Sequence, residues 1–127
     1  MSGKSGGIQG ETGGQYVDLR RIALLESIRN EDKTWVKLAP RWGVTNPDPP
    51  WKVCLEATCD CLSVGGALDT LDRRHAEDEL GETVYSEIPN PERQLLALVH
   101  TMLSRGLVTE EELVHRMRTV RSRLEAI

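Results

Sequence analysis

The chain has no phenylalanine, and aromatic residues of any kind make up only 4% of it, as three tryptophans and two tyrosines. A core without that bulk is built from leucine, valine, alanine and methionine, which suits packed helices better than facing sheets. Three cysteines form no paired framework, so the chain is not a disulfide scaffold, and a reducing compartment is its simplest setting. No apolar run approaches the roughly 20 residues that a membrane span needs. Basic charge does not predominate either. The net charge is −4 with a pI near 5.4, and nothing resembles the stripe of lysine and arginine that neutralises phosphates. Nucleic acid and membrane are therefore set aside as partners. The opening MSGKSGGIQGETGG lacks the apolar segment of a signal peptide, so the expected location is cytoplasmic.

What is present is ordinary for a globular chain: 39% hydrophobic and 28% charged residues over 127 positions, enough for one domain. The first fourteen residues hold six glycines and almost no apolar side chains, and read as an arm. Between Tyr16 and Ile28 the spacing of Val17, Ile22, Leu24, Leu25 and Ile28 predicts a short helix with Asp18 near its start. Four prolines from Pro40 to Pro50 forbid a continuous helix there, so residues 30–50 read as an extended connection anchored by Trp35 and Trp42. Residues 1–49 are thus expected to be arm and connection, and residues 50–127 a helical domain.

In the second part the signals are stronger. Trp51 to Val64 is apolar on most sides and is stopped by Gly65 and Gly66. A shorter helix capped by Asp69 runs to about Leu80, followed by a bend from Gly81 to Pro89 that contains Tyr85. Asn90-Pro91-Glu92 reads as a helix start with Asn90 as cap, leading into the stripe Leu95, Leu98, Val99, Met102 and Leu103 and ending at Gly106. Thr109 and Glu112 have capping-box spacing. They open a last helix with Leu113, Met117, Val120 and Leu124 on one face and basic residues toward its end. The last two helices are expected to form an antiparallel hairpin. The fold class is all-α.

Few residues here carry chemistry by themselves. Cys54, Cys59 and Cys61 stand in the spacing Cys-x4-Cys-x-Cys, with no second cluster and no nearby histidine. That is short of a four-ligand zinc site, and small buried side chains are the favoured reading. His75, His100 and His115 do not pair at helical metal-site spacing. Arg73 and Arg74, among Asp72, Glu77 and Asp78, allow two readings: a solvated face with local ion pairs, or forked donors presented to an anion on a partner.

The order of ATCDCL (Ala57 to Leu62), DRRHAEDELGETVY (Asp72 to Tyr85), Pro89, ERQLLAL and RGLVTEEELVHRM (Arg105 to Met117) resembles the helical N-terminal half of β subunits in the nitrile hydratase and thiocyanate hydrolase family. GGIQGETGG also resembles the glycine-rich opening of such chains. The resemblance covers about two-thirds of the sequence. It implies one subunit of a heteromeric enzyme whose cobalt or iron ion is held by an α-type partner, in a claw with two oxidised cysteines. Arginines of β donate hydrogen bonds to those anions. By this resemblance the role falls on Arg74, with Arg73 adjacent. The α-type claw pattern, Cys-x-x-Cys-Ser-Cys, is not matched by Cys54, Cys59 and Cys61, so no metal is expected on this chain. The chain ends where a fused β subunit would continue into a small β-barrel. The barrel is then expected on a separate subunit, as in thiocyanate hydrolase and in the nitrile hydratase acting on the nucleoside nitrile toyocamycin. Asn90, Gln94 and Tyr85 are the expected pocket residues, and after the bend Asn90, Pro91 and Gln94 stand where simple nitrile hydratases tend to be aromatic. The resemblance also leaves open a β-like activator that delivers metal during maturation, and the residues by themselves allow a stand-alone binding module.

Overall fold

The computed structural model describes residues 17–31, 40, 43 and 48–126. The glycine-rich arm and the proposed anchors Trp35 and Trp42 lie outside the described residues. Five helices and no strand are found among those described: α1 (Ala23–Arg29), α2 (Lys52–Val64), α3 (Thr70–Glu82), α4 (Glu92–Ser104) and α5 (Glu110–Glu125). The all-α reading holds.

Local chemistry explains most of the boundaries. Gly66 adopts φ 79°, a left-handed turn that L side chains avoid, and the backbone of Ala67 and Leu68 closes onto the Leu62 carbonyl to end α2. Asp69 caps α3 by accepting from the Leu71 amide. Gly106, at φ 74°, ends α4 in the same left-handed way. The capping box of α5 is complete: Thr109 Oγ1 accepts from the Glu112 amide at 3.1 Å, and Glu112 Oε1 from the Thr109 amide at 2.9 Å.

Three boundaries and contacts differ from the sequence reading. Residues 17–22 are not helical, and α1 begins only after Ile22. The physical reason is that Asp18 is already committed elsewhere. Its carboxylate accepts from the Arg20 amide and guanidinium, and its carbonyl accepts from His100 Nε2 at 2.6 Å instead of from a helical amide. Asn90 does not cap α4. The cap position is Pro91, preceded by a cis peptide bond, and it makes no side-chain cap hydrogen bond. The third difference concerns α5, which has no buried residue and no substantial packing on α4, so the expected hairpin is present only as its turn. Arg121 instead reaches Glu31, just beyond α1, at 3.7 Å.

The centre of the fold is α4, which packs chiefly on α3 and also on α1. Its buried positions are Leu96, Ala97, Leu98, His100 and Thr101, more than one stripe. Leu96 and Ala97 join Leu25, Leu80, Val84, Tyr85 and Ile88 in one cluster, while Leu98 joins Leu55, Cys59 and Leu68 in a second. Fully buried Leu25 brings α1 into the same core as α3 and α4.

Candidate functional site

Because α3 and α4 lie side by side, their polar flanks enclose a surface hollow of about 390 Å³. It is lined by Glu77, Asp78 and Glu82 from α3 and by Asn90, Arg93 and Gln94 around the start of α4. Gly81 forms part of the wall. A Cβ there would come within 3.3 Å of Arg93 Cδ, so the glycine is what lets that arginine lie close across α3. Two of the expected pocket residues, Asn90 and Gln94, therefore share one cavity. Asn90 is not used as a cap, which leaves its amide available to the hollow. Tyr85 does not line this cavity.

Tyr85 is instead 0% exposed in the core, where its hydroxyl lies 2.7 Å from His100 Nδ1. The ring edges meet at a centroid distance of 5.6 Å. Burial pushes the phenol well above its ordinary range, so it keeps its proton. The other ring nitrogen, Nε2, faces the Asp18 carbonyl, which can only accept, so Nε2 carries hydrogen. In the neutral ring Nδ1 then accepts from Tyr85. The result is a buried chain from bend to central helix to N-terminal segment, joining residues 82 apart in sequence. No spacing rule signalled it.

Asp18 adds a pH dependence at the outer end of this chain. Hydrogen bonds from the Arg20 side chain, and then from its amide, draw the Asp18 carboxyl from 3.8 down to about 2. A folded value below the ordinary one means that the ionised form favours the ordered segment. That contribution is complete above 3.8 and is lost as pH falls through about 2. Acidification across this window is expected to lower the hydrogen-exchange protection of residues 17–22, measured relative to the intrinsic rate at each pH, and Asp18→Asn is expected to remove the dependence. Protection that stays constant across the window in the native chain would remove Asp18 from this role.

The arginine pair is divided by the helix. Arg73, its side chain 12% exposed, bonds through one terminal nitrogen to Glu77 at 2.6 Å, one helical turn on. Its Nε is enclosed without an acceptor. A buried donor in that state carries a desolvation cost of about 1–3 kcal/mol. Arg74 is exposed. Arg105, at the end of α4, reaches Asp72 at 3.7 Å and ties the start of α3 to the central helix. The family resemblance pointed first to Arg74; the oriented, partly unsatisfied fork belongs to its neighbour.

The cysteines separate in the same way. Cys59 is buried between α2, α3 and α4, and burial raises its thiol pKa. Cys54 and Cys61 are exposed, which corrects the expectation that all three are buried, since α2 turns only one side to the core. No group of three or more histidine, cysteine, aspartate or glutamate side chains able to hold a metal occurs among the described residues. His75 and His115 are exposed. No described helix is long and apolar enough to cross a membrane.

No protein-family model matches the chain, and no solved structure matches it. Over 75 residues, 31% of positions are identical to the thiocyanate hydrolase subunit beta of Thiobacillus thioparus. The matched stretch is 58% of this chain and 48% of that subunit, so the chain spans about half the length of its relative. By this match, the chain is similar to the β subunits of the thiocyanate hydrolase and nitrile hydratase family.

Proposed function

We propose that the chain is the non-metal, β-type subunit of a heteromeric nitrile hydratase that converts a nitrile to an amide. The observation that carries the reading is the similarity to a thiocyanate hydrolase β subunit. Its partners are then an α-type subunit that holds cobalt or iron and a separate β-barrel subunit. The metal, as a Lewis acid or activator of water, supplies attack on the nitrile carbon. This chain supplies forked donors, from Arg73 and Arg74, to the oxidised cysteines around it. Arg73 is the better suited of the two, because Glu77 already orients its guanidinium, which keeps a small exposed edge.

The hollow bears on the substrate. Three carboxylates and one guanidinium line it beside two amides, which disfavours an anion and suits a neutral substrate with several hydrogen-bonding groups. At about 390 Å³ it lies within the ligand-pocket range of roughly 300–1,000 Å³. A nucleoside nitrile of the toyocamycin kind has that chemistry. The second reading, thiocyanate hydrolysis, is favoured by the named relative itself.

The test is purification of the tagged chain from its native cells, with mass and metal analysis of the complex and assays on a nucleoside nitrile and on thiocyanate. A complex containing a cysteine-claw subunit, a barrel subunit and cobalt, active on the nitrile, is the expected result. Turnover of thiocyanate alone selects the second reading. A chain found only with a metal-free α-type subunit would make it a maturation factor instead.

A further inference from the structure

Helix α5 is built as if for a neighbour. Sixteen residues long, it has no buried residue, and Val120 and Leu124 are 41% and 66% exposed. Helices in proteins take most of their stability from packing an apolar face, and this one leaves the second half of its face open. At about 100° per residue, Leu113, Met117, Val120 and Leu124 fall on one stripe. Arg116 and Arg123 then lie on one flank of the stripe and Arg121 on the other, with Arg118 further round toward the back.

The charge is one-sided. From Leu113 to Leu124 there are four arginines and no carboxylate, in a chain whose net charge is −4. The helix dipole accounts for cations in the last turn, but Arg116 and Arg118 stand too early to serve it. Arg121 reaches Glu31; Arg116, Arg118 and Arg123 show no ion pair among the described residues. Unpaired arginines flanking an open apolar stripe are the pattern of a helix whose complementary charges are on another molecule.

We infer that the second half of α5, from Arg116 to Leu124, docks on a partner subunit into an apolar groove rimmed by carboxylates. The inference rests on the subunit reading above and extends it by naming the contact surface. A second copy of this chain fits less well. Mutual α5–α5 packing would set arginine flanks together, and α5 against another face of a second copy would leave an open-ended contact. A membrane surface fits less well too, because the stripe is short and has no aromatic residue.

The test uses the complex purified through this chain. Arg116→Lys/Arg123→Lys places amines on the flank for zero-length carbodiimide coupling, followed by peptide mapping. Coupling of both positions to carboxylates of another polypeptide in the complex is expected. Arg116→Glu/Arg123→Glu is expected to weaken that association at least tenfold, whereas Arg118→Glu, also exposed but off the flank, leaves it within twofold. Circular dichroism checks that each variant keeps its helices. Coupling to another copy of this chain, binding to anionic phosphatidylserine vesicles that the reversal abolishes, or a complex indifferent to the reversal would each overturn the inference. The last outcome leaves the subunit reading standing; a native chain that purifies alone overturns both.

Discussion

His100→Ala is expected to be the most damaging single change in the core, lowering stability by about 3–5 kcal/mol. The substitution removes a buried ring that meets two elements at once. Tyr85 loses its acceptor and the Asp18 carbonyl loses its donor, 2.7 Å and 2.6 Å away. Each orphaned buried group costs about 1–3 kcal/mol, and the cavity left by the ring adds to that. In a domain of this size the melting temperature should fall by about 10 °C or more. Tyr85→Phe, which deletes only the hydroxyl, should cost less, about 1–3 kcal/mol, and leave residues 17–22 in place. Denaturant titration with hydrogen exchange of the segment separates the two variants. A loss below about 1 kcal/mol for His100→Ala would mean that the polar chain contributes little.

The second large effect follows from the proposed subunit role and belongs to the arginine pair. Arg73→Lys keeps the charge but removes the planar fork and its Nε donor, and is expected to lower turnover about a hundredfold or more with the complex intact. Arg74→Lys, on the exposed side of α3, is expected to cost less than tenfold. Activity and subunit stoichiometry of the purified complex are measured together, because Arg73 also contributes to the packing of α3. If the order of the two effects is reversed, the role returns to Arg74, where the family resemblance first put it.

What was legible in the sequence was what local chemistry decides. Gly66, Asp69, Gly106 and the pair Thr109 and Glu112 each mark a boundary through groups within a few residues of one another, and all are where the sequence reading put them. The start of α1 was not legible, because the Asp18 carbonyl is taken by a histidine 82 positions away. The extent of burial on α4 was understated for a related reason: a single stripe was visible, while neighbours cover two sides. At the candidate site, the expected pocket residues Asn90 and Gln94 line one hollow. Their companions Glu77, Asp78, Glu82 and Arg93 were not expected there, since only the pairing of α3 with α4 brings them together. Tyr85 was misread as a pocket residue because an aromatic in a bend looks the same in sequence whether it faces in or out.

The shared use of α4 has a further consequence. Since one helix walls both apolar clusters, neither half of the molecule has a private core that could survive the loss of the other. Helices α1 to α4 therefore open as one cooperative unit, while α5, which contributes no buried residue to either cluster, can fray without melting the rest. A chain made this way, in the subunit role proposed above, would meet its partners with a settled body and one adjustable edge. It can refit that edge during assembly while the hollow between α3 and α4 keeps its shape.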